Sequence, residues 1–418
     1  MTYNITKVSA LEILDSRSRP TLEVTVELRG GVRATAGVPS GASTGSKEAV
    51  ELRDGGEAFG GAGVTKARAN VEGEIRHLLT TRSFDSQEEL DRELIDLDGT
   101  DNKSRLGSNA ILGTSMAFAR AAATSESKEL WQWLDGVPGQ EHRLPVPCLN
   151  VLNGGEHAAN PLEFQEFMIC PLGAKGMRHA VRAGSEIYAK LRSLLVAKGE
   201  TVGLGDEGGF APNIATPEEA LQLLTTAITE AGYSTGVDGV MIALDPAASE
   251  FYSDGAYHVG GEKLSSTDMI NRYEQMVADF PIWSIEDGVA EDDDEGWKAM
   301  TTAMGEKIQL VGDDNFCTNP KIIARAIDHG IANASLIKLN QIGTVTETLA
   351  AMRLCQQAGY GQMISHRSGE TPDPFIADFA VATGAGQMKS GAPARGERIA
   401  KYNRLLEIAR HGLPYGLA

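Results

Sequence analysis

The sequence predicts an α/β fold, a β/α barrel preceded by a smaller α+β unit, on three observations. Six short apolar runs in the last 175 or so residues each end in a charged residue: VMIALD at Asp245, IWSIE at Glu286, IQLVGD at Asp313, SLIK at Lys338, MISH at His366 and QMK at Lys389. The gaps between those positions are 41, 27, 25, 28 and 23 residues, and four of the five match one strand, one helix and two loops. From Cys148 onward such runs alternate with helical stretches at 217–232, 265–279, 319–329 and 344–358, over a length that suits one complete barrel.

The first part of the chain reads differently. In PTLEVTVEL, Leu22, Val24, Val26 and Leu28 alternate with Glu23, Thr25 and Glu27, the period of a half-buried strand, and GVRATAGVP follows as its partner. Helical patterns then cover 46–53, 64–82, 86–96 and 107–134, the third opened by Ser86 with Glu89 three residues on, a capping box. Strands followed by helices predict an α+β domain over 1–137, with DGVPGQEHRLPVP leading into a barrel domain over 138–418. LNVLNGG and FQEFMICP lie too close together for a helix between them, so the barrel should open with an antiparallel or doubled strand pair. The acidic run Glu291 to Glu295 reads as a solvated helix start.

Composition bounds the function. A formal charge of −19 and a pI near 4.9 argue against nonspecific nucleic-acid binding and against an anionic membrane surface. Cys148, Cys170, Cys317 and Cys355 lie far apart with no CxxC pair, which predicts small buried thiols in a reducing compartment. The start, MTYNITKVSALEIL, carries no secretory pattern, and no run approaches the ~18 apolar residues of a membrane span. A cytoplasmic protein is expected.

Strand ends in a barrel converge on one mouth, so three carboxylates, two lysines and a histidine should share a pocket. Asp245, Glu286 and Asp313 are oxygen donors suited to Mg²⁺. Lys338, desolvated beside a metal cluster, should have a lowered pKa and act as a general base, with activity falling as pH drops, while Lys389 stays charged and holds a carboxylate. Metal ions with a lysine base imply removal of a proton α to a carboxylate, the dianion being stabilised by divalent cations. A β-leaving group then needs an acid: Glu207 in GLGDEGGFAPN and Glu166 in QEF are the candidates. VPSGASTG offers hydroxyls and N–H groups to a metal or phosphate. In HRSGE, Arg367 offers a fork for phosphate or carboxylate and Ser368 a further donor beside His366. His157, in NGGEH, is a possible second site histidine.

The strings NVLNGGEHA, QEFMI, GDEGGFAPN, LIKLNQIGTVTET, ISHRSGET and GAPARGERIAKYN, with ILDSR and VPSGASTG upstream, together resemble the enolases over essentially the whole chain. The resemblance implies a barrel opening ββαα, two Mg²⁺ per site, a homodimer or higher homo-oligomer, and interconversion of 2-phosphoglycerate and phosphoenolpyruvate by stepwise β-elimination in glycolysis and gluconeogenesis. By matching motif, Asp245, Glu286 and Asp313 look like ligands of the first Mg²⁺ and Ser43 like the loop ligand of the second. Lys338 corresponds to the base, Glu207 to the acid with Glu166 behind it, and His157 to a mobile-loop residue. Lys389 and His366 match contacts to the substrate carboxylate and phosphate side, Arg367 and Ser368 the phosphate grip.

Some positions depart from the family. Ser18 and Arg19 stand where Gly and Asn are usual, Gly288 where Pro is usual, and Glu407 where an Arg commonly pairs across the dimer with the acid matching Glu23. Arg19 is expected to take over that pairing. Two other readings use similar residues: an enolase-like enzyme of phosphonate metabolism acting on a phosphono analogue, and a non-catalytic structural or surface-receptor relative. The second is disfavoured by retention of the metal and acid/base positions.

Overall fold

The computed structural model describes residues 1–41, 45–134 and 136–417. Its first unit is a three-stranded antiparallel sheet in the order β1 (Ile5–Leu14), β2 (Pro20–Leu28), β3 (Arg33–Gly37). Leu22, Val24, Val26 and Leu28 are buried as their alternation predicts, against the Ala-rich helix Ser108–Ser125. β1 carries a weaker alternation and was not expected. The predicted helix over 64–82 forms as Thr65–Asn70 and Arg76–Thr81, joined by a π turn at Val71–Ile75. In helix Gln87–Asp98, the Ser86 hydroxyl accepts from Glu89 N at 3.1 Å, while the Glu89 carboxylate takes the Asp85 N–H rather than closing the box on Ser86. The pattern over 107–134 breaks after Ser125 and resumes as the short helix Leu130–Trp133.

Residues 46–53 are not helical, contrary to expectation. Their backbone groups are engaged by other segments: Ala49 N donates to the Gln341 carbonyl, Val50 N to the Asn102 carbonyl, and Leu52 N to Asn109 Oδ1. Each of these long-range bonds takes a donor that a helix would have used internally.

The second unit is a closed barrel of eight strands: β4 (Val146–Asn153), β5 (Glu166–Cys170), β6 (Met241–Asp245), β10 (Ile282–Glu286), β11 (Gln309–Gly312), β12 (Ala334–Ile337), β13 (Gly361–Ser365) and β14 (Gly386–Lys389), with β14 returning to β4. β5 runs antiparallel to both β4 and β6, and the other neighbours are parallel. Helices Met177–Lys198 and Pro217–Glu230 follow β5, so the opening is ββαα. The long gap of 41 residues before Glu286 is filled by a small antiparallel sheet, β7 (Tyr252–Ser253), β8 (Ala256–Val259) and β9 (Glu262–Leu264), and by helix Ser266–Asp279. The acidic run does start a helix, Asp294–Met304, capped by Asp293 on Gly296 N. All four cysteines are buried and free. Among the described residues no helix is long and apolar enough to cross a membrane.

Polar ties dock the first unit on the barrel. Arg120 forks onto Asp373, Lys103 meets Glu347 at 2.9 Å, and buried Asp91 accepts from Thr346 N at 2.9 Å and from the Thr346 hydroxyl at 2.6 Å. This docking carries residues 38–41 and 45–51 to the rim of the barrel, where Ser40 and Gly369 exchange backbone hydrogen bonds.

Candidate active site

The six charged residues land together. Asp245, Glu286 and Lys389 are the last residues of β6, β10 and β14, and Asp313, Lys338 and His366 follow β11, β12 and β13 directly. Parallel pairing puts all these ends at one mouth. Reversal of β5 brings its first residue, Glu166, to the same mouth, in register with Asp245 on one side and Asn153 on the other. Glu207 enters from the loop after helix Met177–Lys198. There Gly209 lies so close to β4 that a Cβ would stand 2.7 Å from Asn153 Oδ1 and 3.0 Å from Leu152 N, which only glycine permits.

Two ammonium groups organise the carboxylates. Lys389 Nζ lies 2.7 Å from Glu286 Oε1, 3.0 Å from Asp245 Oδ2 and 3.1 Å from Glu166 Oε1. Burial opposes its charge, but Asp245, Glu166 and Glu286 outweigh burial and hold the ammonium well above its ordinary pKa, so Lys389 stays charged as expected. Lys338 Nζ lies 2.5 Å from Asp313 Oδ2, whose other oxygen accepts from Gln341 Nε2 at 2.8 Å. Here the expected lowering is overturned: burial pulls the Lys338 pKa down, yet Asp313 more than compensates and raises it.

Whether the carboxylates suit a hard cation can be tested on Glu286. Its Oε2 is buried without a hydrogen-bond partner among the described residues, and burial together with Asp245 and Asp313 pushes its carboxyl well above the usual range. Asp245, Glu286 and Asp313 stand at the ends of neighbouring strands at this mouth as three oxygen donors with no thiol or imidazole among them, a donor set that fits Mg²⁺. Asp287 buttresses this corner with both oxygens, Oδ1 accepting from Asp313 N at 2.9 Å and Oδ2 from Asp314 N at 3.0 Å. Burial and Asp313 push Asp314 up to about 8.

Opposite lies a group of two glutamates and two histidines. Ligating atoms of His157, Glu166 and Glu207 all lie within 4.8 Å of one another, and His366 Nε2 is 3.2 Å from Glu207 Oε2. Burial and the charge of Glu207 drive the Glu166 carboxyl well up, with Lys389 too weak to reverse it. Burial also works against the Glu207 charge, yet His366 and His157, with the Arg398 guanidinium behind, hold that carboxyl well below its usual range. The two carboxyls are thus driven in opposite directions, Glu166 up and Glu207 down. Asn150 Nδ2 donates to Glu207 Oε2 at 3.0 Å. His157, in a short 3-10 turn, is buried inside the pocket with its pKa lowered by burial.

Arg367 is buried, with Nη1 2.9 Å from Glu48 Oε2 and 3.0 Å from Asn340 Oδ1, and Nη2 3.1 Å from Glu48 Oε1. Ser368 is buried beside it. Ser43 lies outside the described residues. Glu48, Asn150, Gln341 and Asp287 were not singled out from the sequence. Asp287 and Gln341 had a usable signal, since each lies one to three residues beyond a strand-end charge, whereas Glu48 sits in a stretch read as helix.

The departures are accommodated locally. Ser18 takes a left-handed φ of 60°, held by Asp15, whose Oδ1 accepts from Arg17 N at 2.8 Å and Arg19 N at 2.9 Å. At Gly288 a Cβ would stand 2.5 Å from Met300 Cε and 3.1 Å from Ile285 Cγ2, so Met300 occupies the space a proline ring would need.

The family model described as the enolase N-terminal domain matches residues 5–134, and that described as the enolase C-terminal TIM barrel domain matches residues 141–412. An enolase from Rubrobacter xylanophilus is 55% identical over 407 residues, covering 97% of this chain and 94% of its own length. One from Nitratiruptor sp. is 54% identical over 408 residues, covering 97% and 96%. With both units matched, and relatives this similar along nearly the whole length, the chain belongs to the enolase family.

Proposed function

We propose that this chain is a phosphopyruvate hydratase, the carbon–oxygen lyase that interconverts 2-phospho-D-glycerate with phosphoenolpyruvate and water. The reading rests above all on one observation: a half-buried lysine on a buried carboxylate, Lys338 on Asp313, shares a barrel mouth with a glutamate pair whose proton affinities are driven apart. Such a division supplies a base on one face of a substrate and an acid on the other. Lys338 takes the C2 proton. Lys389, permanently charged, binds and orients the substrate carboxylate, and Arg367 with Ser368 and His366 holds the phosphate side. Departure of the C3 hydroxide is assisted by Glu207, with Glu166 behind it as the store of the proton and His157 closing over them. Two Mg²⁺, held by Asp245, Glu286 and Asp313 and by Ser43, would supply the positive charge that stabilises the dianion and offsets the hold of Asp313 on Lys338.

The same reading places the enzyme in glycolysis and gluconeogenesis in the cytoplasm, divides the chain at 137/138, and makes it a homodimer in which Arg19 replaces the missing partner of Glu23. Glu407 supports this last point, since its carboxylate is 3.2 Å from Arg404 of its own chain. An Arg19→Glu variant should sediment as a smaller species; unchanged sedimentation counts against the pairing. The activity itself is tested by the absorbance of the enol product on adding 2-phosphoglycerate. A rise that needs Mg²⁺ and stops with a chelator is expected. No rise from magnesium-loaded protein, with turnover of a phosphono analogue instead, would replace this substrate.

A further inference from the structure

Arg398, in helix Gly396–Ile408, is fully buried, yet among the described residues its terminal nitrogens meet no carboxylate. Nη1 lies 2.6 Å from His366 Nδ1 and 2.6 Å from the Arg367 carbonyl. Nη2 lies 2.7 Å from the Ser368 carbonyl, 3.2 Å from the Asp206 carbonyl and 3.4 Å from Ser16 Oγ. One carboxylate oxygen, Glu397 Oε1, stands 3.4 Å from Nε. A guanidinium in a protein keeps its charge and can only donate. The nitrogen it meets at 2.6 Å must therefore accept, so His366 Nδ1 carries a lone pair and the ring proton is on Nε2, 3.2 Å from Glu207 Oε2. A second ring proton would set Nδ1–H against a cationic N–H.

We propose that Arg398 is a positioning residue of this site: it fixes His366 as the neutral Nε2–H tautomer, which leaves Nε2–H on the Glu207 side with no hydrogen-bond partner among the described residues and keeps His366 out of proton transfer. The same fork sets the spacing of the two loops involved, since it grips carbonyls of residues 367 and 368 on one side and of Asp206, next to Glu207, on the other. The charged groups facing the ring are Glu207, Arg398 and Lys389, whose backbone carbonyl accepts from His366 N at 3.0 Å. Burial and Arg398 together bring the imidazole down to about 3, Glu207 notwithstanding. The consequence for catalysis rests on the hydro-lyase reading: a histidine able to take up a proton beside Glu207 would compete for the proton that must leave with hydroxide.

The test is nitrogen-15 NMR of histidine-labelled, magnesium-loaded full-length protein, with the His366 signals assigned by their loss in His366→Asn. Expected is an Nε2–H pattern unchanged from pH 5 to 8. A proton on Nδ1, or titration in that range, overturns the proposal without any Arg398 variant. In Arg398→Met, His366 should titrate at a higher pH than in the parent, and kcat/KM should acquire a new ionisation that follows it, with a loss on the order of 10- to 100-fold at the acid end that shrinks as pH rises. In Arg398→Ala, added guanidinium should restore activity where sodium chloride at equal ionic strength does not. A folded Arg398→Met with the tautomer and pH profile of the parent overturns the proposal, and if neither variant folds the parent spectrum decides it. Parent protein that leaves 2-phosphoglycerate unchanged refutes the hydro-lyase reading and leaves the tautomer measurement standing on its own.

Discussion

The eight strands of the barrel build two opposite environments a few residues apart. Low in the interior, Val146 and Cys148 of β4, Met168 and Cys170 of β5, Ala243, Val311, Ala334, Leu336 and Met363 pack into one apolar cluster. Two residues further toward the mouth on the same strands stand Asn150, Glu166, Asp245, Asp313 and Lys338, all in or at the edge of the site. The pleat, with its period of two, turns the same face inward at both levels, so a strand such as β12 presents Ala334, Leu336 and then Lys338 to the barrel interior. Packing below and chemistry above are thus separable by position along each strand. The lower cluster lowers free energy by burial, whereas the mouth crowds Glu166, Asp245, Glu286 and Asp313 together and is tolerable because Lys338 and Lys389 sit among them.

The sharpest break of this comparison is a substitution at the top of β12. Lys338→Ala should lower kcat by on the order of 10²- to 10⁴-fold, the usual range for a general base, with the circular dichroism spectrum kept. A variant turning over at the parental rate would move the chemistry away from this mouth. Two residues down the same strand, Leu336→Ala should do the reverse. It should cost about 2–5 kcal/mol in urea unfolding, while kcat/KM of the folded fraction stays within a few-fold. Loss of activity beyond loss of fold in Leu336→Ala would mean that the two levels are mechanically coupled.

This separation is also why the sequence was so informative about the mouth. A charged residue at the end of an apolar run is conspicuous, and Asp245, Glu286, Asp313, Lys338, His366 and Lys389 all occupy strand ends or the position after. The short spacing of LNVLNGG and FQEFMICP likewise announced that β5 is reversed. What stayed hidden depends on partners remote in sequence. Residues 46–53 have helical periodicity, but their donors go to Gln341, Asn102 and Asn109, which no local pattern encodes. Glu48 against Arg367 spans 319 residues. The elevated proton affinity of Lys338 is of the same kind: desolvation was foreseeable, but the 2.5 Å contact with Asp313 that reverses its sign is tertiary.

Asp91 sharpens the comparison by separating burial from crowding, since it is a wholly buried carboxylate at the seam between the two units rather than in the mouth. Burial raises it from 3.8 to about 6, against hydrogen bonds from Thr346, Ser115 and Gln87. Below pH 3.8 folded and unfolded states both hold the proton and the group is neutral to stability. Between 3.8 and about 6 the folded state keeps a proton that the unfolded state has lost, so stability falls as pH rises, by roughly 3 kcal/mol once the folded group has also ionised. Asp91→Asn removes this component. Relative to the parent, the variant should gain up to roughly 3 kcal/mol in unfolding free energy from pH 4 to pH 7. Equal pH slopes would show that the hydrogen bonds at the seam already offset desolvation.

Glu286→Gln makes the smallest change in stability and asks most directly what the mouth is built for. Glu286 Oε1 is 2.7 Å from Lys389, its Oε2 is buried without a partner among the described residues, and burial with Asp245 and Asp313 already drives the group toward its protonated form. An amide has nearly the same shape, keeps the oxygen that Lys389 donates to, and relieves the crowding, while Asp245 and Glu166 still face the ammonium. In the presence of a chelator the variant should therefore unfold within about 1 kcal/mol of the parent, the scale of one ordinary hydrogen bond. With magnesium the two should diverge. Binding to the folded state alone stabilises the parent by about 2.7 kcal/mol at a hundred times the dissociation constant, and most of that shift should vanish in the variant because an amide oxygen lacks the charge a hard cation requires. A chelated variant weakened by several kcal/mol would show that the Lys389 pair holds the mouth together by itself. An undiminished magnesium shift would remove Glu286 from the ligand set.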